Sequence, residues 1–396
     1  MCTDSCEKRG LCLRTVIVAI VAMVVGAGIY WAVASRPWNG LTANGESESG
    51  TIDYGLQHVV DSLLRDKMDS IGAVQGQVIV MEVKTGRILS MVGLERNFEG
   101  KYQSCNNFAY QQEPGSLIEP VSLLAVMESG KASLSDCVFT EHGAWQVDSV
   151  YELKDHNWHR GGYGTLTMSQ VIEQSSNIGV AKFVNNAFGN DRRGFYGMLD
   201  RMCYGQPDSI EGIDGLKATE YCLLKDSIES NRYFLESTIG YERKVAPIQL
   251  LTFYNAIANG GRMVKPTLKN GVTETINPQI ATKSSIDSMQ VALENVVVYG
   301  LAHKAGTPLV SVAGKHGTAV VNQNKLRELN SDICLNEYQI GFCGYFPAQA
   351  PEYSIIVSMN KFGLPASGGG MAAPVFRNIV EWMYYHDMPA SINGTE

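Results

Sequence analysis

No block of basic residues interleaved with aromatics occurs in this 396-residue chain, so an extended nucleic-acid surface is excluded. The charge balance agrees: 32 Lys and Arg stand against 40 Asp and Glu, a net charge of −8 with a pI near 5.5. No internal repeat is present, which removes solenoids and propellers from consideration. Cys2, Cys6 and Cys12 lack C-x-x-C spacing and read as free thiols on a short tail rather than a metal site. No other metal or cofactor signature is found. Low-complexity sequence is confined to one short Gly/Ser-rich stretch. A charged content of only 18% beside 45% hydrophobic residues marks a globular chain, long enough for one large domain or two ordinary ones.

What the chain does contain begins with residues 15–34, TVIVAIVAMVVGAGIYWAVA, twenty positions without a charge. As a helix this run would be about 30 Å long, enough to cross a bilayer core. Tyr30 and Trp31 fall near one end, where amphipathic rings favour the headgroup region. Lys8, Arg9 and Arg14 precede the run and only Arg36 follows closely, so the positive-inside rule places residues 1–14 in the cytoplasm and the remainder outside. Ala32-Val33-Ala34 also has the form of a signal-peptidase site, which keeps a cleaved signal as the alternative to an uncleaved single-pass anchor. Cys105, Cys137, Cys203, Cys222, Cys334 and Cys343 would then face an oxidising compartment where disulfides form. Cys203/Cys222 and Cys334/Cys343 are the nearest pairs by sequence, and spacing alone does not assign partners.

Residues 35–50 read as a polar linker. Leu56, Val59, Val60, Leu63 and Leu64 recur at helical spacing and predict a helix over 53–70. The runs 77–83 and 87–92 flank Lys84-Thr85-Gly86 as a β-hairpin. Helices are expected from Ser116 to about Gly130, from about Thr167 through residue 177, over 247–259 and over 374–385. Strands are expected over 310–321, 338–345 and 353–359. Early strands, a helical middle and late strands predict one α+β domain over 51–390, followed by a short tail at 391–396. In it the N-terminal hairpin completes a sheet built mainly from the C-terminal end, with helices on both faces.

Three short boxes carry the chemistry. Ser116-Leu117-Ile118-Glu119 stands where Ser-x-x-Lys is the acyl-serine pattern, Ser175-Ser176-Asn177 fits Ser-x-Asn, and Lys315-His316-Gly317-Thr318 approximates Lys-Thr-Gly-Thr. With the segments 240–266 and 344–357, the chain resembles the transpeptidase domain of the monofunctional division penicillin-binding proteins, the Bacteroidetes type most closely. The likeness covers about residues 51–385, and only about fifteen linker residues separate it from the apolar run, in place of that family's sizeable N-terminal pedestal. The resemblance implies a penicillin-binding fold, a central antiparallel sheet flanked by helices. It implies Ser116 as nucleophile, Ser175 as proton relay, Asn177 as binder of the substrate amide and Lys315 as a cation near Ser175. It further implies a substrate strand at His316, Gly317 and Thr318, with Thr318 recognising carboxylate and lending an oxyanion N–H.

Glu119 breaks that scheme. A serine hydroxyl needs a base beside it, and a glutamate cannot supply the lysine's amine or its charge. Within reach of Lys315 it should pair with the ammonium and stay an ionised, poor base. A structural reading competes: Ser116-x-x-Glu119 has the form of a capping box. His316 replaces a hydroxyl residue and is the one histidine with a motif-based reason to approach Ser116; His142, His156, His159 and His303 also lie in the outer domain. The expectation is a protein of the cytoplasmic membrane, its main domain periplasmic, with an impaired acyl-serine site and a role in binding stem peptides or cell-wall synthesis proteins. An active D,D-transpeptidase or carboxypeptidase is the first alternative, and a β-lactam sensor or hydrolase of the same fold is the second. Both carry β-lactams as expected ligands.

Overall fold

The computed structural model describes residues 50–219, 230–322 and 336–386. The apolar run 15–34, nearly all of the linker, Cys222 and Cys334 lie outside the described residues. Among the described residues no helix is long and apolar enough to cross a membrane, and Cys105, Cys137, Cys203 and Cys343 are free thiols.

Six strands form the central sheet in the order β10-β11-β12-β1-β2-β3. They are β1 (Ala73–Glu82), β2 (Ile88–Arg96), β3 (Tyr102–Ser104), β10 (Ala313–Asn322), β11 (Glu337–Phe346) and β12 (Tyr353–Phe362). All neighbours are antiparallel, and β1 lies against β12 with Val78 opposite Val357. The early hairpin thus completes a sheet supplied by the end of the chain. Small two-stranded pairs join β4 (Cys137–Phe139) to β7 (Thr165–Thr167), β5 (Ala144–Gln146) to β6 (Glu152–Lys154), and β8 (Met263–Val264) to β9 (Thr275–Asn277).

Helix α1 (Tyr54–Ile71) starts where the Asp53 carboxylate accepts the Leu56 N–H at 2.8 Å and stops at Gly72, whose φ of 64° admits no side chain cheaply. It buries Leu56, Val60, Leu64 and Met68, one residue per turn, and Gly76 of β1 lies directly under Leu64 and Met68. The other helices are α2 (Glu119–Glu128), α3 (Met168–Gln174), α4 (Asn177–Phe188), α5 (Arg192–Arg201), α6 (Asn231–Thr238), α7 (Pro247–Ala258), α8 (Lys283–Val298) and α9 (Ala373–His386). Helix α9 packs beside α1, with Phe376 against Phe342 of β11. The opposite face of the sheet is covered by α7, every residue of which is buried. Asn255 of α7 pins it there: the side chain donates to Val83 C=O at 2.9 Å and accepts from the Ser354 hydroxyl at 2.7 Å. The α+β architecture read from element order is therefore the one observed.

Two local departures shape the site. The helix expected from Ser116 begins as a 3-10 turn, Gly115–Ile118. Pro120 has no N–H to return to the Ser116 carbonyl, so the Glu119 N–H takes that oxygen instead. The helix expected through residue 177 is broken into α3 and α4 at Ser175, which sits at φ 52°, ψ 52°. The capping box expected at Ser116 and Glu119 is absent, because Pro114 is the turn's N-cap and the Glu119 carboxylate points inward. A capping box does form one α-helix later, between Thr167 and Gln170 at the start of α3.

Candidate active site

Sterics on the sheet side place the Ser116 turn. Leu117 seats over Gly317 and Gly341, neighbours on β10 and β11; a Cβ at Gly317 would come within 2.8 Å of Leu117 Cγ and 3.1 Å of the Pro114 oxygen. From the other side the Gly115 N–H donates to Gly240 C=O at 3.1 Å, where a Cβ on Gly240 would strike the Gly115 backbone. Ser116 is consequently held beside β10, where it lines a cleft of about 500 Å³. Ser175, Asn177, His316 and Thr318 line the same cleft.

Glu119 and Lys315 lie behind Ser175, both with no exposed surface. Lys315 Nζ is 3.1 Å from Glu119 Oε2 and donates to Ser175 Oγ at 2.8 Å. Ser175 Oγ in turn faces both carboxylate oxygens, at 2.9 and 3.1 Å, and gives its single proton to them. The ammonium makes a further bond to His316 C=O at 3.1 Å. Burial pulls Lys315 below the ordinary lysine range, and the adjacent Glu119 carboxylate resists that pull. The expected pairing of Glu119 with Lys315 is thus realised, with Ser175 as its third member. The Ser116 hydroxyl, by contrast, has no hydrogen-bond partner among the described residues.

The break at Ser175 is held by a residue that the motifs did not single out. Asp155, 1% exposed, accepts from the Ser176 hydroxyl at 2.8 Å and from the Ile178 N–H at 3.0 Å, closing the first turn of α4. Burial is the main cause that raises its pKa from 3.8 to about 6; its hydrogen bonds oppose the rise and the nearby Glu119 adds to it. Asn177 donates one Nδ2 hydrogen to Lys154 C=O at 3.0 Å and keeps a second N–H and its carbonyl oxygen for further bonds. Thr318 Oγ1 accepts from the Gly368 N–H at 3.1 Å and keeps its proton to donate.

Two histidines face the cleft rather than one. His316 has a buried Nε2 with no partner among the described residues. Burial, then Lys315 and His156, push its pKa well below the usual histidine range, so it is neutral near pH 7. His156 is the one that motif reasoning missed. Its Nε2 is 3.0 Å from the Tyr163 hydroxyl, and its pKa is lowered by burial first and by Arg160 next. The sequence signal that could have found it is its place beside Asp155, the acid that caps the Ser-x-Asn helix. His142, His159 and His303 do not line the cleft. Among the described residues no cluster of His, Cys, Asp and Glu could hold a metal ion.

The model of the penicillin-binding protein transpeptidase domain matches residues 76–381. The chain belongs to the penicillin-binding transpeptidase family. Relatives include a peptidoglycan D,D-transpeptidase FtsI homologue of Mesostigma viride, 22% identical over 370 residues, covering 84% of this chain and 60% of that protein. Stage V sporulation protein D of Bacillus subtilis is 26% identical over 353 residues, covering 83% of this chain and 52% of that protein. The chain therefore spans about half to three-fifths of the length of these two relatives. Among solved structures, the transpeptidase domain of Burkholderia pseudomallei penicillin-binding protein 3 superposes with a TM-score of 0.72 at 24% identity, covering 88% of this chain and 99% of that one. Penicillin-binding protein 3 of Mycobacterium tuberculosis in complex with aztreonam gives 0.68, also at 24% identity, covering 86% and 79%. These two likenesses establish the penicillin-binding transpeptidase fold.

Proposed function

We infer that this protein binds peptidoglycan stem peptides in the Ser116 cleft and acylates poorly or not at all. In this reading it serves cell-wall synthesis or division as a binding or scaffold protein. The observation that carries it is the Glu119 carboxylate, which takes both the Lys315 ammonium and the Ser175 proton and leaves Ser116 without a base. General-base assistance commonly contributes about 10²–10⁴-fold to rate. In the same reading residues 15–34 anchor the chain in the cytoplasmic membrane with the domain on the periplasmic side, as the flanking charges favour. The aztreonam complex of the mycobacterial relative makes β-lactams natural probes of the cleft.

A second reading, an active acyl-transfer enzyme, draws support from the same contacts. Ser175 donates to a carboxylate, so a proton leaving Ser116 would have an acceptor one hydroxyl away. The ion pair with Lys315 weakens that acceptor, which favours the first reading. Incubation of the purified protein with a fluorescent penicillin separates them. The first predicts slow or no covalent labelling at Ser116 while a stem-peptide analogue still binds; rapid labelling lost in Ser116→Ala would establish the second.

A further inference from the structure

The side chains that line the cleft include no Asp, Glu, Lys or Arg. The nearest full charges, Glu119 and Lys315, are completely buried and cancel: wherever the proton between them resides, the pair has no net charge. His316 presents a neutral ring, and Asn177, held through one Nδ2 hydrogen on Lys154 C=O, presents an uncharged amide. Asp155, the next buried acid, adds negative charge if anything. Arg160, the cation that acts on His156, is itself exposed to solvent and screened by it.

Resting on the stem-peptide reading above, we propose that this cleft selects an uncharged peptide terminus, a carboxamide or an internal peptide bond, over a free carboxylate. An incoming carboxylate would lose its hydration against a neutral wall with no cation free to pair with it. A carboxamide answers the same wall group by group. Its N–H₂ donates to Asn177 Oδ1, and its oxygen accepts from the Thr318 or Ser116 hydroxyl. In stem peptides this describes an amidated terminus or a peptide already joined to its neighbour, not the free D-alanyl-D-alanine end. A site whose buried polar groups match one ligand and are left unpaired by its analogue discriminates strongly between the two.

Isothermal titration of the full-length protein with diacetyl-L-lysyl-D-alanyl-D-alanine and with its C-terminal carboxamide tests this. The carboxamide should bind at least about tenfold tighter, as expected for a single unpaired buried contact. Its affinity should change little between about 0.05 and 0.5 M salt, since no net charge is neutralised on binding. Glu119→Gln should uncover the Lys315 charge and shift the preference toward the free acid. If that variant misfolds, the wild-type comparison and its salt dependence still decide. Equal or tighter binding of the free acid overturns the inference and leaves the stem-peptide reading standing. Binding of neither ligand overturns both.

Discussion

Glu119 Oε2 and Lys315 Nζ lie 3.1 Å apart with both side chains wholly removed from solvent, and the Ser175 hydroxyl is shared between them. A buried pair of this kind contributes little net stability against well-packed apolar residues, yet removing one partner strands the other. What it determines is which groups remain available to Ser116.

If the missing amine is what silences Ser116, Glu119→Lys should restore acylation by a β-lactam by at least about 100-fold, the low end of what one positioned base contributes. Time-resolved labelling with a fluorescent penicillin measures this, and adding Ser116→Ala to the variant should abolish the label. Wild-type protein that labels as fast as the variant would show that another residue is the base.

Lys315→Met should destabilise the domain by about 3–5 kcal/mol, since it leaves the Glu119 carboxylate buried and unpaired. Urea unfolding checks the loss. The double variant Glu119→Met/Lys315→Met should recover most of it, because both charges are then gone. A double variant no more stable than Lys315→Met would contradict the pairing.

Asp155 gives a pH signature. Its pKa is raised from 3.8 to about 6 in the folded protein, so between those values the folded state holds more protons than the unfolded one. The sign follows: its contribution favours folding below about pH 4 and is lost as pH rises through about 6, by at most about 3 kcal/mol. Thermal melts from pH 4 to 7 should therefore show a fall in wild type that is flatter in Asp155→Asn. Parallel curves would contradict this assignment.

Gly317→Ala should cost about 1–3 kcal/mol, because the new methyl meets Leu117 and the Pro114 carbonyl, which is backbone and cannot swing aside. Gly341→Ala meets the flexible end of Leu117 at 3.1 Å and the Val357 carbonyl oxygen at 3.3 Å, both looser contacts, and should cost less. Comparing the two melting temperatures is sufficient; an equal loss would mean that Leu117 does not position the turn.

Much of this was legible in the chain. Helical spacing located α1 to within a residue at each end, Lys84-Thr85-Gly86 marked the hairpin, and three boxes in order brought Ser116, Ser175 and Lys315 to one place. The misses have physical causes. Nothing in the hydrophobic period announces the left-handed Ser175, since the break depends on Asp155 reaching across to the first turn of α4. The capping-box reading failed because a local pattern, Ser-x-x-Glu, competed with a long-range one, and a buried ammonium attracts a carboxylate more strongly than an exposed backbone N–H does. His156, Tyr241 and Ser367 line the cleft from loops whose approach is set by tertiary packing alone.

The contact of Glu119 with Ser175 and Lys315 has a mechanical side as well. It joins the start of α2, the corner between α3 and α4, and the edge strand β10, three pieces of chain with separate supports. The Ser116 turn is keyed to the sheet through Leu117, whereas Ser175 and Asn177 are keyed to the helical half through Asp155. The buried trio is thus a rivet across the seam between two blocks, and it sets the gap into which a ligand must fit. A clamp at this place yields an aperture of fixed width, ready before any ligand arrives.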